Sequence, residues 1–277
     1  MAVTEKVRQL KPQNQKNETP ASVATITPEM AEDMLGKNVK NRNVSQGLVN
    51  AYARDMQNGA WQFTGEALKF SEDGNLIDGQ HRLWACIKAG VPFQTLVIYD
   101  LNEVVQEVID TGRGRTVADT LHLAGFSHST RTASACRYMV YIKNDFLKYK
   151  VTAPEVLAIF RRHPAIHDSA LATTGAYGPS QALLSAIHYI GAHILDKQPY
   201  AEEFISVFIT GNSYDGCAAQ AWRERLIRLK ATHTPIKVSN MFYGTMHAWN
   251  LFVQRKDVKL FRAPDHTKIE GLDLDLI

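Results

Sequence analysis

Apolar and polar residues alternate in two different rhythms along this chain, and the rhythm changes near its middle. In the first part, short apolar runs of strand length lie between amphipathic segments of helical period. Glu66 to Phe70 reads as a strand, Asp73-Gly74 as a tight turn and Leu76-Ile77 as a short return strand. Leu83, Trp84, Cys86 and Ile87 then fall at the spacing of the buried side of a short helix that stops at Gly90, and Phe93 to Tyr99 is the next strand. Upstream, Thr27-Pro28-Glu29 opens a helix that Gly36 ends, because Thr caps, Pro suits the first helical position and Glu favours the positive dipole end. After a polar loop from Lys37 to Asn43, Ser45 caps a helix with Leu48, Val49, Tyr52, Ala53 and Met56 on one face, closed by Asn58-Gly59. Asn102 is placed to cap one more helix, carrying Val104, Val105, Val108 and Ile109.

From about Ser129 the strand rhythm disappears. Helical runs are predicted near Arg131–Tyr149, Ala153–Arg162, Gln181–Asp196, Ala201–Ile209, Ala218–Lys230 and Val238–Gln254, with Pro164, Pro179, Pro199 and Pro235 between or at the edges of runs. Thr152 and Glu155 have the spacing of a capping box. The expected class is α+β: a first domain over residues 25–126 with a small mixed sheet, then an all-α domain over 127–256. Met1 to about Ala24 reads as a polar, disordered arm, and 257–277 as a polar tail whose Leu272, Leu274 and Ile277 fray or dock on a partner.

Length and composition narrow the picture only a little. The 277 residues suffice for a real core, and a formal charge of +3 permits a nucleic-acid partner without demanding one. Three scattered cysteines, Cys86, Cys136 and Cys217, form no CxxC pair, which argues against a disulfide framework or zinc ribbon and fits a reducing cytoplasm. No apolar run of membrane-spanning length and no secretory signal core is expected.

The chemistry concentrates in Asp78-Gly79-Gln80-His81-Arg82, at a strand-to-helix junction. A glycine before a helix start lets an anion approach free backbone N–H groups at the positive dipole end, and Arg can grip two phosphate oxygens. The run Leu76 to Ala85, with Ala89-Gly90-Val91-Pro92 closing the helix, resembles the nucleotide-binding domain of the ParB/sulfiredoxin superfamily. It is most similar to ParB-like proteins with the DGQHR signature, many of them encoded by phages and mobile elements, and the resemblance covers roughly Ile26 to Gly125. It implies a site for ATP or CTP at Gly79, Gln80, His81 and Arg82, with Asp78 and His81 as candidate catalytic groups and Mg²⁺ arriving with the nucleotide. The loop Asp110-Thr111-Gly112-Arg113-Gly114-Arg115-Thr116, before a helix start at Thr116, is either a second anion-seeking stretch or a flexible connector with solvated arginines; on the first reading Arg113, Arg115 and Thr116 join the expected site.

Within that superfamily the reaction stays open. Sulfiredoxins carry a cysteine where this chain has Gln80, so the reductase reaction is not expected. The acidic residue of the serine kinases has no clear counterpart in Lys37–Asn43, and the DNA-binding helices of partition proteins are not recognisable. A metal-dependent nuclease would draw on Asp73, Asp78, Asp110 and Asp119, none of which shows ligand spacing, and a non-catalytic DNA- or protein-binding module is the other alternative. Asp78 could instead stiffen its loop by accepting backbone N–H bonds. Arg161, Arg162, Arg223, Arg225, Arg228 and Lys230 of the helical half are candidate contacts to a DNA backbone, and equally an ordinary solvated face. The expected partners are therefore a nucleotide and DNA, with a homodimer allowed, in a transaction such as partition, transcription control or DNA modification.

Overall fold

The structure is a computed structural model that describes residues 20–38, 41, 43–102, 105, 116–145 and 149–277. It divides into two compact units, Met1–Arg113 and Gly114–Ile277, so that Thr116 to Gly125 belongs with the helices that follow. The class is α+β with a small four-stranded mixed sheet.

The first unit runs β1 (Ala21–Ile26), α1 (Pro28–Leu35), α2 (Gln46–Gln57), β2 (Ala67–Ser71), β3 (Leu76–Asp78), α3 (Gln80–Ala89) and β4 (Phe93–Leu101). The sheet order is β1-β4-β2-β3. β4 pairs antiparallel with β1, Ala21 opposite Ile98 through Ile26 opposite Phe93, and parallel with β2, Ala67 opposite Leu96. β2 and β3 form the antiparallel hairpin that delivers the motif, with a register shift after Lys69. Ile26, Leu68, Phe70, Phe93 and Val97 form the core with Ala31, Ala53, Met56, Leu83 and Cys86 of the helices. Thr27 caps α1 as expected, its Oγ1 accepting from Met30 N at 3.3 Å. Ser45 sits at the N-cap of α2 without a side-chain bond to the helix.

Two expectations need correction here. The disordered arm does not reach Ala24, because residues 21–26 form edge strand β1. Small side chains and a mostly exposed burial pattern hide that strand, which β4 stabilises by pairing. Trp84 is not on the buried side of α3: it is 42% exposed, while the buried arc runs through Leu83, Cys86 and Ala89. Most of the helix expected after Asn102, and the whole of Asp110–Arg115, lie outside the described residues.

The second unit contains α4 (Val117–Leu123), α5 (Ser129–Lys143), α6 (Ala153–Arg162), α7 (Ile166–Ala172), α8 (Gln181–Tyr189), a π-helical turn (Ile190–Ile194), α9 (Gln198–Thr210), α10 (Ala218–Ala231) and α11 (Val238–Val253). Both expected helix starts are capping boxes: Thr116 with Asp119, and Thr152 with Glu155. The run predicted to Tyr149 stops at Lys143, and α7 was not expected, since its seven residues are too few to show a period. Trp222, Trp249, Tyr243, Phe204, Phe208, Phe242 and Phe252 are almost wholly buried. Two glycines make this packing feasible. A Cβ on Gly191 would lie 2.5 Å from the Trp249 ring, and one on Gly244 would lie 2.7 Å from Trp222.

The C-terminal segment is neither frayed nor free. Phe261, Ile269 and Ile277 are buried in the helical core, and Leu272 and Leu274 pack against it. Lys143 Nζ donates to Ile277 O at 3.1 Å, Arg162 to Asp275 O at 2.8 Å and Asn250 Nδ2 to Lys268 O at 2.7 Å. Its apolar residues lie too far apart in sequence to give a period, so only the packing shows their role. Among the described residues no helix is long and apolar enough to cross a membrane.

Candidate functional site

The motif junction is built from β3, the start of α3 and the loop before α2. Gly79 is the N-cap of α3 at φ 111°, in the region that favours glycine. A Cβ there would lie 2.3 Å from Leu68 Cδ2, so the core side of the junction also demands glycine. No side chain caps α3 and no acidic residue occupies its first turn. The positive end of its dipole therefore has no negative side chain of its own helix beside it.

Asp78 lies at the cross-strand position opposite Lys69. Lys69 Nζ donates to Asp78 Oδ2 at 3.0 Å, and Arg82 Nη2 donates to the same oxygen at 3.3 Å and to Ala67 O at 2.7 Å. The three side chains are only 13–20% exposed. Two cations around one carboxylate leave a formal excess of one positive charge at the start of α3. Asp78 thus stiffens the junction through side-chain cations rather than through the backbone N–H groups expected for it. Arg82 is an anchored side chain rather than a free surface arginine.

Gln80 and His81 are buried, at 4% and 8% exposure. Gln80 Oε1 accepts from Asn38 Nδ2 at 3.1 Å. His81 Nε2 accepts from Ser45 N at 3.0 Å, which leaves that nitrogen unprotonated and unable to act as a base while the bond holds. Asn41 Nδ2 donates to Leu76 O at 2.7 Å and to Asn38 Oδ1 at 2.6 Å, and Leu76 N donates to Lys37 O at 2.9 Å. Lys37, Asn38, Asn41 and Ser45, before α2, therefore bond to the motif and its strand. Lys69, Asn38 and Asn41 belong to this site and were not singled out in the sequence. The signal available was the cross-strand placement of Lys69 opposite Asp78, which requires the hairpin register to be known.

Cys86 supplies no nucleophile: burial, helped by the Glu29 charge, pushes its thiol up to about 11, and its Sγ faces the carbonyls of Ile26 and Val91. Arg113 and Arg115 lie outside the described residues, while Thr116 is committed to the capping box of α4.

Several of the candidate DNA contacts are engaged within the protein. Arg162 and Arg225 hold the C-terminal segment, the latter donating to Phe261 O at 3.2 Å. Arg223 packs against Gly211, Arg228 faces Glu224 at 3.8 Å, and Lys230 lies 4.7 Å over the Tyr177 ring. Arg161 is exposed. Among the described residues no group of three or more His, Cys, Asp or Glu side chains could hold a metal ion. Asp78 does not fit as a magnesium ligand in this arrangement, since two cations already hold it. Comparison of the chain with family models, with curated proteins and with solved structures finds no match in any of the three.

Proposed function

We propose that the first unit binds a nucleoside triphosphate, its phosphates at the start of α3, and that this binding governs a DNA transaction of the ParB-like kind. The observation that carries the reading is the uncapped N-terminus of α3 beside a cation-rich cluster. Backbone N–H groups at a helix start and a net positive charge both favour a phosphate. Lys69 and Arg82 are preorganised by Asp78, which lowers the entropic cost of gripping an anion. Gln80 and His81 shape the site by fixing the preceding loop, rather than by touching phosphate with free side chains. A magnesium ion would then be held mainly by the phosphates.

A second reading is a non-catalytic binding module with the same fold. It is favoured by the engagement of Asp78, His81 and Arg82 within the protein. In either case the DNA partner is proposed to meet the exposed cations Arg161, Arg228 and Lys230.

Calorimetric titration with ATP and CTP, with and without Mg²⁺, tests the nucleotide. Gln80→Glu keeps the oxygen that accepts from Asn38 and adds a negative charge at the helix start. The wild type is expected to bind one of the nucleotides and the variant to bind it at least about tenfold more weakly, as for a like-charge contact. Equal binding by both, or none by the wild type, contradicts the assignment. A gel shift across a salt series tests the DNA, with a log–log slope near −0.9 per phosphate neutralised.

A further inference from the structure

We infer that the helical unit has a second, independent binding site, a cavity of about 160 Å³ under the C-terminal segment that takes a one-ring aromatic molecule carrying a hydrogen-bond donor. The walls come from three parts of the unit: Tyr141 and Ile142 of α5, Phe242 and Met246 of α11, and Ile269 and Leu272 of the C-terminal segment. Aromatic rings and a thioether favour an aromatic guest by edge-to-face and sulfur–ring contacts. An apolar cavity of about 150 Å³ is known to stay dry and to accept benzene, so the volume suits one ring.

The polar end of the cavity sets the chemistry of the guest. Asp145, just past the end of α5, also lines the cavity. It adopts φ 54°, a left-handed conformation that a residue other than glycine takes at a cost. That strained backbone is held by side-chain bonds. His266 Nε2 lies 2.7 Å and 2.9 Å from the two Asp145 oxygens, so that nitrogen carries a proton, and Tyr243 OH donates to Oδ1 at 3.3 Å. A carboxylate fixed in this way offers an acceptor to a guest hydroxyl or amine, while most of the rest of the wall is apolar, Thr267 and Lys268 apart. The C-terminal segment forms one wall and is pinned nearby, with Asn250 Oδ1 accepting from Glu270 N at 3.0 Å. A bound guest therefore adds contacts between this segment and α5 and α11.

The probes are 4-fluorophenol and 4-fluorotoluene, which differ in the donor, followed by ¹⁹F NMR titration of the full chain. The wild type is expected to bind both saturably, the phenol more tightly. Asp145→Ala removes the acceptor and should weaken the phenol about tenfold or more while leaving the toluene nearly unchanged. Leu272→Phe fills the cavity and should abolish both. Three results would overturn the inference: no saturable binding of the phenol by the wild type, no change of phenol affinity in Asp145→Ala, or undiminished binding in a folded Leu272→Phe. The Asp145 variant keeps the test decisive should Leu272→Phe fail to fold.

Discussion

The two units of this chain solve the problem of stability in different ways. The first has a small core and carries its candidate site on polar side chains that bond to one another: Asp78 to Lys69 and Arg82, Gln80 to Asn38, and His81 to Ser45. The second is built on large buried rings, Trp222, Trp249, Tyr243 and Phe204 among them, with a few buried polar pairs such as Trp222 Nε1 to Thr245 Oγ1 at 3.1 Å. The contrast teaches where function can sit. Apolar packing tolerates little change without loss of stability. A polar junction at a helix start is already arranged as a surface for charge, and its members can exchange one partner for another at modest cost.

The largest effect that would break this contrast lies in the helical unit. Trp222→Ala should cost about 3–5 kcal/mol, the usual loss for a large buried ring. Chemical denaturation followed by ring fluorescence and by residue-resolved exchange should show that loss in residues 116–277 and not in α1 to β4. Next comes Gly79→Ala, where a new Cβ meets Leu68 at 2.3 Å in a conformation unfavourable for alanine. It should destabilise the first unit by roughly 1–3 kcal/mol. Arg82→Ala follows, since it leaves Ala67 O without its donor and Asp78 with Lys69 alone. A loss of about 1–3 kcal/mol is expected in the first unit. An unchanged melting curve in this variant would mean that the junction is not held as the structure describes.

A smaller effect distinguishes the units by pH. Burial depresses the pKa of His163, with the Arg162 and Lys143 charges adding to it, and burial depresses that of His188, with His193 adding and Glu202 opposing. The unfolded chain then takes up protons that the folded chain refuses, so stability is full above the ordinary value of 6.5 and falls as the pH drops below it. Melting of the helical unit should shift to lower temperature on going from neutral pH to about pH 5. A shift in the opposite direction would contradict the burial of both rings.

How much of this was legible in the sequence follows from the same contrast. The motif hairpin, α1, α2, the helix start at Thr116 and the capping box at Thr152 were readable, because caps, turns and glycines act locally. Strand β1 was not, because Ala21 to Ala24 become a strand through their pairing with β4. Nor was the docking of residues 257–277, which depends on Phe261, Ile269 and Ile277 meeting helices distant in sequence. At the site, the glycine and the charged residues were visible, but their partners were not. Asn38, Asn41 and Lys69 join the motif only when the loop before α2 and the hairpin register bring them there.

The central claim is that phosphate meets the backbone at the start of α3, and amide hydrogen exchange with and without a saturating nucleotide tests it most directly. The amides of residues 79–81 are expected to gain protection when ATP or CTP is bound, Gln80→Glu to reduce the gain at the nucleotide concentration that just saturates the wild type, and α8 to α11 to stay unchanged. A nucleotide that binds and protects only residues outside that turn, or one that leaves every amide of the first unit unchanged, would contradict it.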